Sequence, residues 1–308
     1  MGVHERATTS PRSGPRALAV AVLALLGGAV TTAPAAEGGA APVPPPVPAP
    51  LVVRDLRYGP APEHLADLHL PTAGGNRGVI VLVHGGGFVR GSRGELFRTA
   101  APLVRQLDRG FALVDVEYRL TDGERHTFPD AVRDVSRAVE WVRRHGRRHG
   151  LDPSTVIVAG ASAGGTIATL VGVGTNPTPG TRLPRTPRVD GWVAVSGIHD
   201  FAERAGASRF GATWLGGNPG AAALADASPV THLDRDDPPG YVVHGDRDTV
   251  VPVSQAVLAV GRAATVGVSV EHDLVDDGPG SCRWHFPACG MDRAAFDRWV
   301  DRVAGGRA

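Results

Sequence analysis

A serine flanked by glycines follows a short apolar run in the middle of the chain. Ser162 lies in the sequence GASAGG, between the β-branched run Thr155–Ala159 and the helix-compatible run Thr166–Val171. In a strand–turn–helix context, G-x-S-x-G is typical of a nucleophile elbow, a tight turn that leaves the serine hydroxyl exposed at a helix N-terminus. A side chain at Gly160 or Gly164 would collide with a neighbouring strand or helix. Ser162 is therefore the predicted nucleophile, and a simple glycine-rich turn is the alternative.

A second glycine-rich segment, HGGGF, begins at His84 directly after the apolar run Val79–Val83. Glycines let backbone N–H groups approach the oxyanion that forms during acyl transfer. The candidate oxyanion-hole donors are the N–H groups of Gly85, Gly86, Gly87 and Ala163. Gly86 and Gly87 are favoured over Gly85, and His84 is interpreted as a residue that orients the loop. A phosphate-binding loop is disfavoured, because the chain contains neither G-K-[ST] nor G-x-G-x-x-G here.

A serine nucleophile needs a base, and the base needs an acid that orients it. On an elbow of this type the chain order is serine, acid, histidine. Asp248, which follows the predicted strand Tyr241–Val243, is the preferred acid, and Asp246 is the second choice. A turn aspartate is the alternative role for either residue. A D-x-D metal site is disfavoured, because no His or Glu follows at ligand spacing.

His285 is the predicted base. It lies downstream of the acid, in a loop between the predicted strand Val268–Val275 and a terminal helix. His272 is also downstream, but it alternates within the strand pattern. Cys282 and Cys289 flank His285, and we expect a disulfide between them to restrain its loop. Closing so short a loop would stabilise the fold by roughly 2–3 kcal/mol.

The elements around these residues alternate between strand and helix patterns. Short, almost continuously apolar runs predict strands buried on both faces of a parallel sheet. These runs are Val79–Val83, Ala112–Val116, Thr155–Ala159, Trp192–Val195 and Tyr241–Val243. The sequence therefore predicts an α/β fold with a mostly parallel central sheet and helices on both faces. Its site should lie at the carboxyl ends of the strands.

Three segments have helical periodicity. Val132, Val135, Val139 and Val142 share one face of a predicted helix that Pro129 opens and Gly146 or Gly150 ends. A helix over residues 96–107 is expected to be shortened or kinked by Pro102. A terminal helix is predicted over residues 291–303. The segment 200–239 between two predicted strands is short, which predicts a small lid or none.

Composition narrows the possible functions. The 308 residues carry 32 basic and 31 acidic side chains, a net charge of +1, and 42% hydrophobic residues. Such a balance argues against a nucleic-acid partner and against intrinsic disorder. His145 and His149, spaced i, i+4, are more typical of a solvated helix end than of a metal pair. The neighbouring arginines at 143, 144, 147 and 148 are interpreted as a solvated face.

The N-terminal segment has the sequence features of a targeting signal. Arginines precede the apolar run Ala17–Val30, which is shorter than the roughly 20 residues that span a bilayer, and an A-x-A site follows at Ala33–Ala35. We predict a signal peptide at 1–35, a Pro/Ala-rich linker at 36–50 and one catalytic domain at 51–308. The expected location is extracellular, without stable membrane association after cleavage. A single N-terminal membrane anchor is the alternative.

With these motifs the sequence resembles the α/β-hydrolase superfamily, and particularly the hormone-sensitive-lipase-like and bacterial carboxylesterases of the acetyl- or feruloyl-esterase type. The resemblance rests on HGGGF at 84–88, YRL at 118–120 with FP at 128–129, GASAGG at 160–165, ASP at 227–229, and HGDRDTVVP at 244–252. It implies a serine esterase with no metal or organic cofactor. Its triad would be Ser162, Asp248 and His285, and its substrate a short-chain ester that is a small molecule or is linked to a polysaccharide.

Three other functions are compatible with this superfamily. A serine peptidase usually has an accessory domain, for which this chain has no room. An arylformamidase shares the glycine and serine motifs, but the predicted secretory leader argues against a role in the cytosol. A non-enzymatic binding protein of the same fold usually lacks a triad member, whereas candidates for all three are present here.

Overall fold

The structure is a computed structural model that describes residues 51–71, 75–203, 207–276, 285 and 287–306, without the side chains at 207–209, 287 and 289. These residues form an eight-stranded sheet with helices on both faces. The strands lie in the order β1-β2-β4-β3-β5-β6-β7-β8. They are β1 (Val52–Arg57), β2 (Leu65–His69), β3 (Gly78–Val83), β4 (Phe111–Val116), β5 (Val156–Ala161), β6 (Gly191–Val195), β7 (Gly240–Gly245) and β8 (Val270–Val275). The predicted mostly parallel α/β fold is confirmed.

The apolar runs form the centre of the sheet because their side chains alternate between two cores. In β3, the side chains of Val79, Val81 and Val83 pack into one core, which also contains residues of the helices over 130–145, 163–173 and 254–266. Ile80 and Leu82 face the other core, which contains residues of the helices over 95–99, 101–104 and 293–305. Every residue of β3 is buried, and burying a side chain of this size stabilises the fold by about 1.5–3 kcal/mol.

Helices are present at two of the segments with predicted helical periodicity, over residues 130–145 and 293–305, whereas the helices over residues 207–215, 221–227, 229–232 and 254–266 were not predicted. The α-helices that the structure describes are α1 (Glu95–Thr99), α2 (Ala101–Val104), α3 (Asp130–His145), α4 (Ala163–Val173), α5 (Ala207–Leu215), α6 (Ala221–Ala227), α7 (Pro229–His232), α8 (Ser254–Val266) and α9 (Arg293–Gly305). In α3 the four predicted valines are all buried. Pro129 lies just before this helix rather than in its first turn, and Gly150 ends the following 3-10 turn with φ 77°. No helix in the described residues is both long and apolar enough to cross a membrane.

Two further features differ from the sequence prediction in detail. The expected helix over residues 96–107 is divided at Ala100 into α1 and α2, because Pro102 lies in the first turn of α2 and cannot continue a helix that precedes it. The strands β1 and β2 were not predicted. They pair antiparallel at one edge of the sheet, where β1 is largely exposed and lacks the apolar run that identifies the central strands.

Asp115 is a carboxyl group inside the sheet. It lies in β4 with no exposed surface, and its Oδ2 accepts a hydrogen bond from the N–H of Gly94 at 2.6 Å. Burial raises the pKa of Asp115 from 3.8 to about 7. Between these two pH values the folded state holds a proton that the unfolded state has lost. The free energy of unfolding therefore falls as pH rises, by up to about 4 kcal/mol.

Replacing Asp115 by asparagine should remove this pH dependence. Asparagine keeps the acceptor for Gly94 but stays neutral, so the variant should be more stable than the wild type near pH 8 and closer to it near pH 5. Urea unfolding at both pH values measures the difference. The exposed Asp108, changed to asparagine, is the matched control. A wild type whose stability is the same at both pH values would contradict the prediction.

Candidate active site

Ser162 lies at the turn between β5 and α4, with φ 53° and ψ −120°. Its backbone N–H donates to the carbonyl of Val195 at 2.7 Å, which fixes this strained turn to the neighbouring strand β6. A Cβ at position 160 would lie 2.1 Å from the carbonyl oxygen of Gly164. A Cβ at position 164 would lie 2.2 Å from the carbonyl oxygen of Val83. The expected collisions with a helix and a strand are thus confirmed.

The structure brings Ser162, His285 and Asp248 into one hydrogen-bonded row. The serine Oγ lies 2.8 Å from Nε2 of His285, and Nδ1 of His285 lies 2.7 Å from Oδ2 of Asp248. Asp248 follows the carboxyl end of β7, as Ser162 follows that of β5. Asp246, the second choice of acid, is exposed. His272 lies exposed on β8, in register with Val242.

The carboxylate of Asp248 is held on both oxygens. Oδ1 accepts the N–H groups of Val250 and Val251 at 2.8 and 3.0 Å, and Oδ2 accepts Nδ1–H of His285. Nε2 of His244 lies 3.5 Å from the same Oδ2. Burial alone would raise the pKa of Asp248, but the hydrogen bonds from His285 and the two N–H groups outweigh it and hold the pKa below its usual value. The acid therefore stays ionised and can stabilise a positive imidazole.

The glycine loop lies against the nucleophile. A Cβ at position 85 would be 3.4 Å from the Cβ of Ser162. Gly86 and Gly87 have φ angles of 112° and 62°, and a Cβ at position 86 would lie 1.9 Å from the carbonyl oxygen of Arg90. Among the described residues, no acceptor is bonded to the N–H of Gly86, Gly87 or Ala163. These three donors remain available to a bound ligand.

His84 orients the loop, as its sequence position indicated. Its Nδ1 donates to the carbonyl of Gly85 at 2.8 Å, and its ring stacks on that of Tyr118 at 4.3 Å. The hydroxyl of Tyr118 in turn donates to the carbonyl of His84 at 3.0 Å. The residue is fully buried and is not in the serine–histidine–aspartate row.

A buried network that the sequence analysis missed anchors the segment after β4. Asp134 of α3 accepts Nε–H of Arg119 at 2.8 Å and pairs with Nε2 of His64 at 2.8 Å. Burial alone would raise the pKa of Asp134, but the hydrogen bonds from Arg119 and His64 lower it overall. The available sequence signal was that Asp134 stands between Ala131 and Ala138, at i−3 and i+4, so a helix places this acid beside apolar neighbours, where it requires a partner.

Aromatic side chains lie beside the glycine loop. Phe88 stacks on Trp214 at 4.0 Å, and Phe128 meets Trp214 edge-on at 5.0 Å. Phe210 of α5 lies close to the candidate donors, since its ring edge is 3.3 Å from where a Cβ of Gly87 would be. Phe88, Phe128 and Trp214 are buried in the core, whereas Phe210 is partly exposed beside the loop.

Other sequence-predicted features lie elsewhere or outside the described residues. Cys282 and the side chain of Cys289 are not described, so the predicted disulfide lies outside the described part of the chain. His145 and His149 both lie near the ring of Trp141, with centroid distances of 6.2 and 5.0 Å. Among the described side chains, no group of three or more His, Cys, Asp or Glu is arranged to hold a metal ion.

The sheet and its loops define an α/β-hydrolase fold that carries a serine at the turn between β5 and α4. A family model named BD-FAE matches residues 66–261, which is more than half of the chain, and the chain belongs to this family. Similar curated proteins include esterase LipC and the probable carboxylic ester hydrolase LipM, both of Mycobacterium tuberculosis. LipC is 31% identical over 233 residues and LipM 34% over 195, covering 70% and 59% of this chain.

The chain spans about half the length of these curated relatives, with 56% of LipC and 44% of LipM covered. Solved structures agree on the fold. A truncated carbohydrate esterase from gut microbiota is 22% identical with a TM-score of 0.71, over 83% of this chain and 96% of that one. Esterase B from Lactobacillus rhamnosis, inhibited by a tributyrin phosphonate, is 19% identical with a TM-score of 0.69, over 84% and 87%.

Proposed function

We propose that this protein is a serine esterase that hydrolyses carboxylic esters through an acyl-enzyme. The observation that carries the proposal is the row formed by Ser162, His285 and Asp248, with contacts of 2.8 and 2.7 Å beside N–H groups that have no acceptor among the described residues. The printed names of the relatives LipC and LipM support ester hydrolysis.

The geometry supports a two-step mechanism. His285 takes the hydroxyl proton as Ser162 attacks the ester carbonyl, and Asp248 holds the imidazole in the tautomer that can accept it. The N–H groups of Gly86, Gly87 and Ala163 donate to the oxyanion of the tetrahedral intermediate. His285 then protonates the leaving alcohol. Water, deprotonated by the same histidine, finally releases the acid from the serine.

The test of this function is labelling by a fluorophosphonate probe together with hydrolysis of 4-nitrophenyl esters. The probe should modify Ser162, which peptide mass spectrometry identifies, and should abolish hydrolysis in proportion to the labelled fraction. A peptide substrate and N-formylkynurenine, assayed in parallel, represent the peptidase and arylformamidase alternatives. A folded protein that neither reacts with the probe nor hydrolyses any ester would be a binding protein of this fold.

We further propose a preference for short acyl groups. The partly exposed ring of Phe210, whose edge lies 3.3 Å from where a Cβ of Gly87 would be, limits the room for a long acyl chain beside the candidate oxyanion donors. A series of 4-nitrophenyl esters from acetate to laurate measures the preference, with kcat/KM expected to fall as the chain lengthens. Acetylated and feruloylated xylan in the same assays test whether the ester is linked to a polysaccharide.

The remaining proposals concern the secreted form of the protein. We propose that residues 1–35 are removed during export and that Cys282 and Cys289 then form a disulfide in the oxidising compartment. N-terminal sequencing of protein recovered from the culture medium tests the cleavage site after Ala35.

Reduction of this disulfide should lower both the melting temperature and the turnover number. The bond would restrain the loop that carries His285, at a gain of roughly 2–3 kcal/mol. Thermal unfolding and ester hydrolysis with and without a thiol reductant measure the effect. The Cys282→Ser/Cys289→Ser variant is the control, because it should already behave as the reduced protein and respond to no reductant. If reduction changes neither property of the wild type, the disulfide is absent or without consequence.

A further inference from the structure

Glu117 lies one residue beyond the end of β4, where no motif marks it, yet it contacts the ring that orients the glycine loop. Its Oε1 is 2.8 Å from Nε2 of His84, and its Oε2 accepts the backbone N–H of Arg93 at 3.3 Å. The His84 side chain is completely buried and that of Glu117 is 21% exposed. The carboxylate is therefore fixed between two partners, and the imidazole has no access to water.

The two ring nitrogens of His84 both face oxygen atoms. Nδ1 is 2.8 Å from the carbonyl of Gly85, which accepts hydrogen bonds and cannot donate one. Nδ1 must therefore carry a proton. Nε2 faces the carboxyl group of Glu117 at the same distance.

The carbonyl that His84 holds belongs to the same peptide unit as the N–H of Gly86. A peptide unit is planar and trans, so its C=O and N–H point in opposite directions. Fixing the Gly85 carbonyl toward His84 fixes the Gly86 N–H in the opposite direction. That N–H has no acceptor among the described residues, and Gly86 adopts a φ of 112° that glycine alone tolerates well.

We propose that Glu117 is a positioning residue of the oxyanion hole. It holds the His84 ring at Nε2, His84 donates from Nδ1 to the Gly85 carbonyl, and the Gly86 N–H is thereby aimed at the oxyanion. This rests on the proposed esterase function for its consequence in catalysis, but its proton arrangement is independent of that function. It also favours Gly86 over Gly87, because the carbonyl in the Gly87 peptide unit, that of Gly86, accepts, among the described residues, only the backbone N–H groups of Val89 and Arg90.

The test compares Glu117→Leu and Glu117→Gln with the wild-type full-length protein, and uses Glu140→Leu as the matched control. Glu140 lies on α3 and contacts Arg144 at 3.6 Å, away from the glycine loop. Leucine at 117 removes the partner of His84. Glutamine keeps it, because its amide can donate to Nε2 while Nδ1 retains its proton.

We expect Glu117→Leu to lower kcat by roughly 10- to 100-fold, less than the 10²–10³-fold typical of deleting one oxyanion donor. KM should be almost unchanged, because a wrongly oriented N–H weakens stabilisation of the tetrahedral intermediate and not binding of the substrate. Affinity for a trifluoromethyl ketone, which forms a tetrahedral oxyanion on serine, should fall by the same factor as kcat/KM. Glu117→Gln should recover most of the activity, and Glu140→Leu should behave as wild type.

¹⁵N NMR of histidine-labelled protein supplies a readout that does not need activity, with the His84 signals assigned by their loss in His84→Asn. Nδ1 should be protonated in the wild type and in Glu117→Gln. The proposal would be overturned by a folded Glu117→Leu variant with unchanged kcat, or by one whose loss of kcat/KM comes only from a higher KM. It would also be overturned by an unprotonated Nδ1 in the wild type. If the wild type hydrolyses no ester, the proposed function fails, and the NMR measurement still decides the proton arrangement. If Glu117→Leu does not fold, the ¹⁵N signals of His84 in the wild type and in Glu117→Gln decide the proton arrangement.

Discussion

Replacing Ser162 by alanine is expected to abolish ester hydrolysis, lowering kcat by roughly 10⁴- to 10⁶-fold, as removal of a triad nucleophile does elsewhere. The reason is that the hydroxyl oxygen, 2.8 Å from Nε2 of His285, is the atom that would form the acyl-enzyme. The fold should persist, because alanine tolerates the turn at φ 53° no worse than serine does. Circular dichroism and thermal unfolding check the fold, and active-site titration checks for contaminating enzyme.

Combining Ser162→Ala with His285→Ala sharpens this test. If the two residues act as one unit, the double variant should be no less active than Ser162→Ala alone. Ser154→Ala is the control, because this exposed serine should leave activity unchanged. A well-folded Ser162→Ala protein with wild-type turnover would refute the assignment, and strictly multiplicative losses would show that the two residues act independently.

Replacing Gly164 by alanine should cost about 3 kcal/mol of unfolding free energy, at the upper end of the range for overpacked cores. The added Cβ would lie 2.2 Å from the carbonyl oxygen of Val83 and 2.3 Å from that of His84. Both are backbone atoms at the end of β3, so relief of the clash must move the glycine loop or the elbow. Specific activity should therefore fall further than the folded fraction does.

Gly261→Ala is the matched control for this prediction. Gly261 lies in the interior of α8, where an added Cβ meets no atom within 4 Å. Alanine should stabilise this exposed helical position by roughly 0.5–1 kcal/mol. Urea unfolding of both variants measures the contrast. Equal effects at the two positions would mean that close backbone contact at the elbow is not what restricts residue 164.

The central sheet was predictable from the sequence because its strands are buried on both faces. A run such as Val79–Val83 must be apolar at every position to fill two cores, and this leaves a clear pattern. The edge strand β1 is exposed along most of its length and left no such run. The division between α1 and α2 was foreseen only as an effect of Pro102, because its position depends on how the preceding turn packs.

The candidate site was predictable as a set of residue types in a chain order, with some alternatives left open. The sequence placed Asp248 ahead of Asp246, and the structure puts the carboxylate of Asp248 at 2.7 Å from His285 while Asp246 is exposed. Glu117 was missed, although it follows a strand end as the other site residues do. An acidic residue after the end of a strand is common, and the residues next to Glu117 in the sequence do not indicate a contact with His84.

The sequence by itself determined the α/β fold class and the glycines at the elbow, since burial patterns and the absence of side chains are local properties of the chain. Tertiary structure alone decided which side chains meet. Ser162 and His285 are distant in sequence, and so are Glu117 and His84, and their contacts depend on the order of the strands in the sheet. The direction of the Gly86 N–H was decided in the same way, because a side chain from a neighbouring strand end fixes the His84 ring that holds its peptide unit.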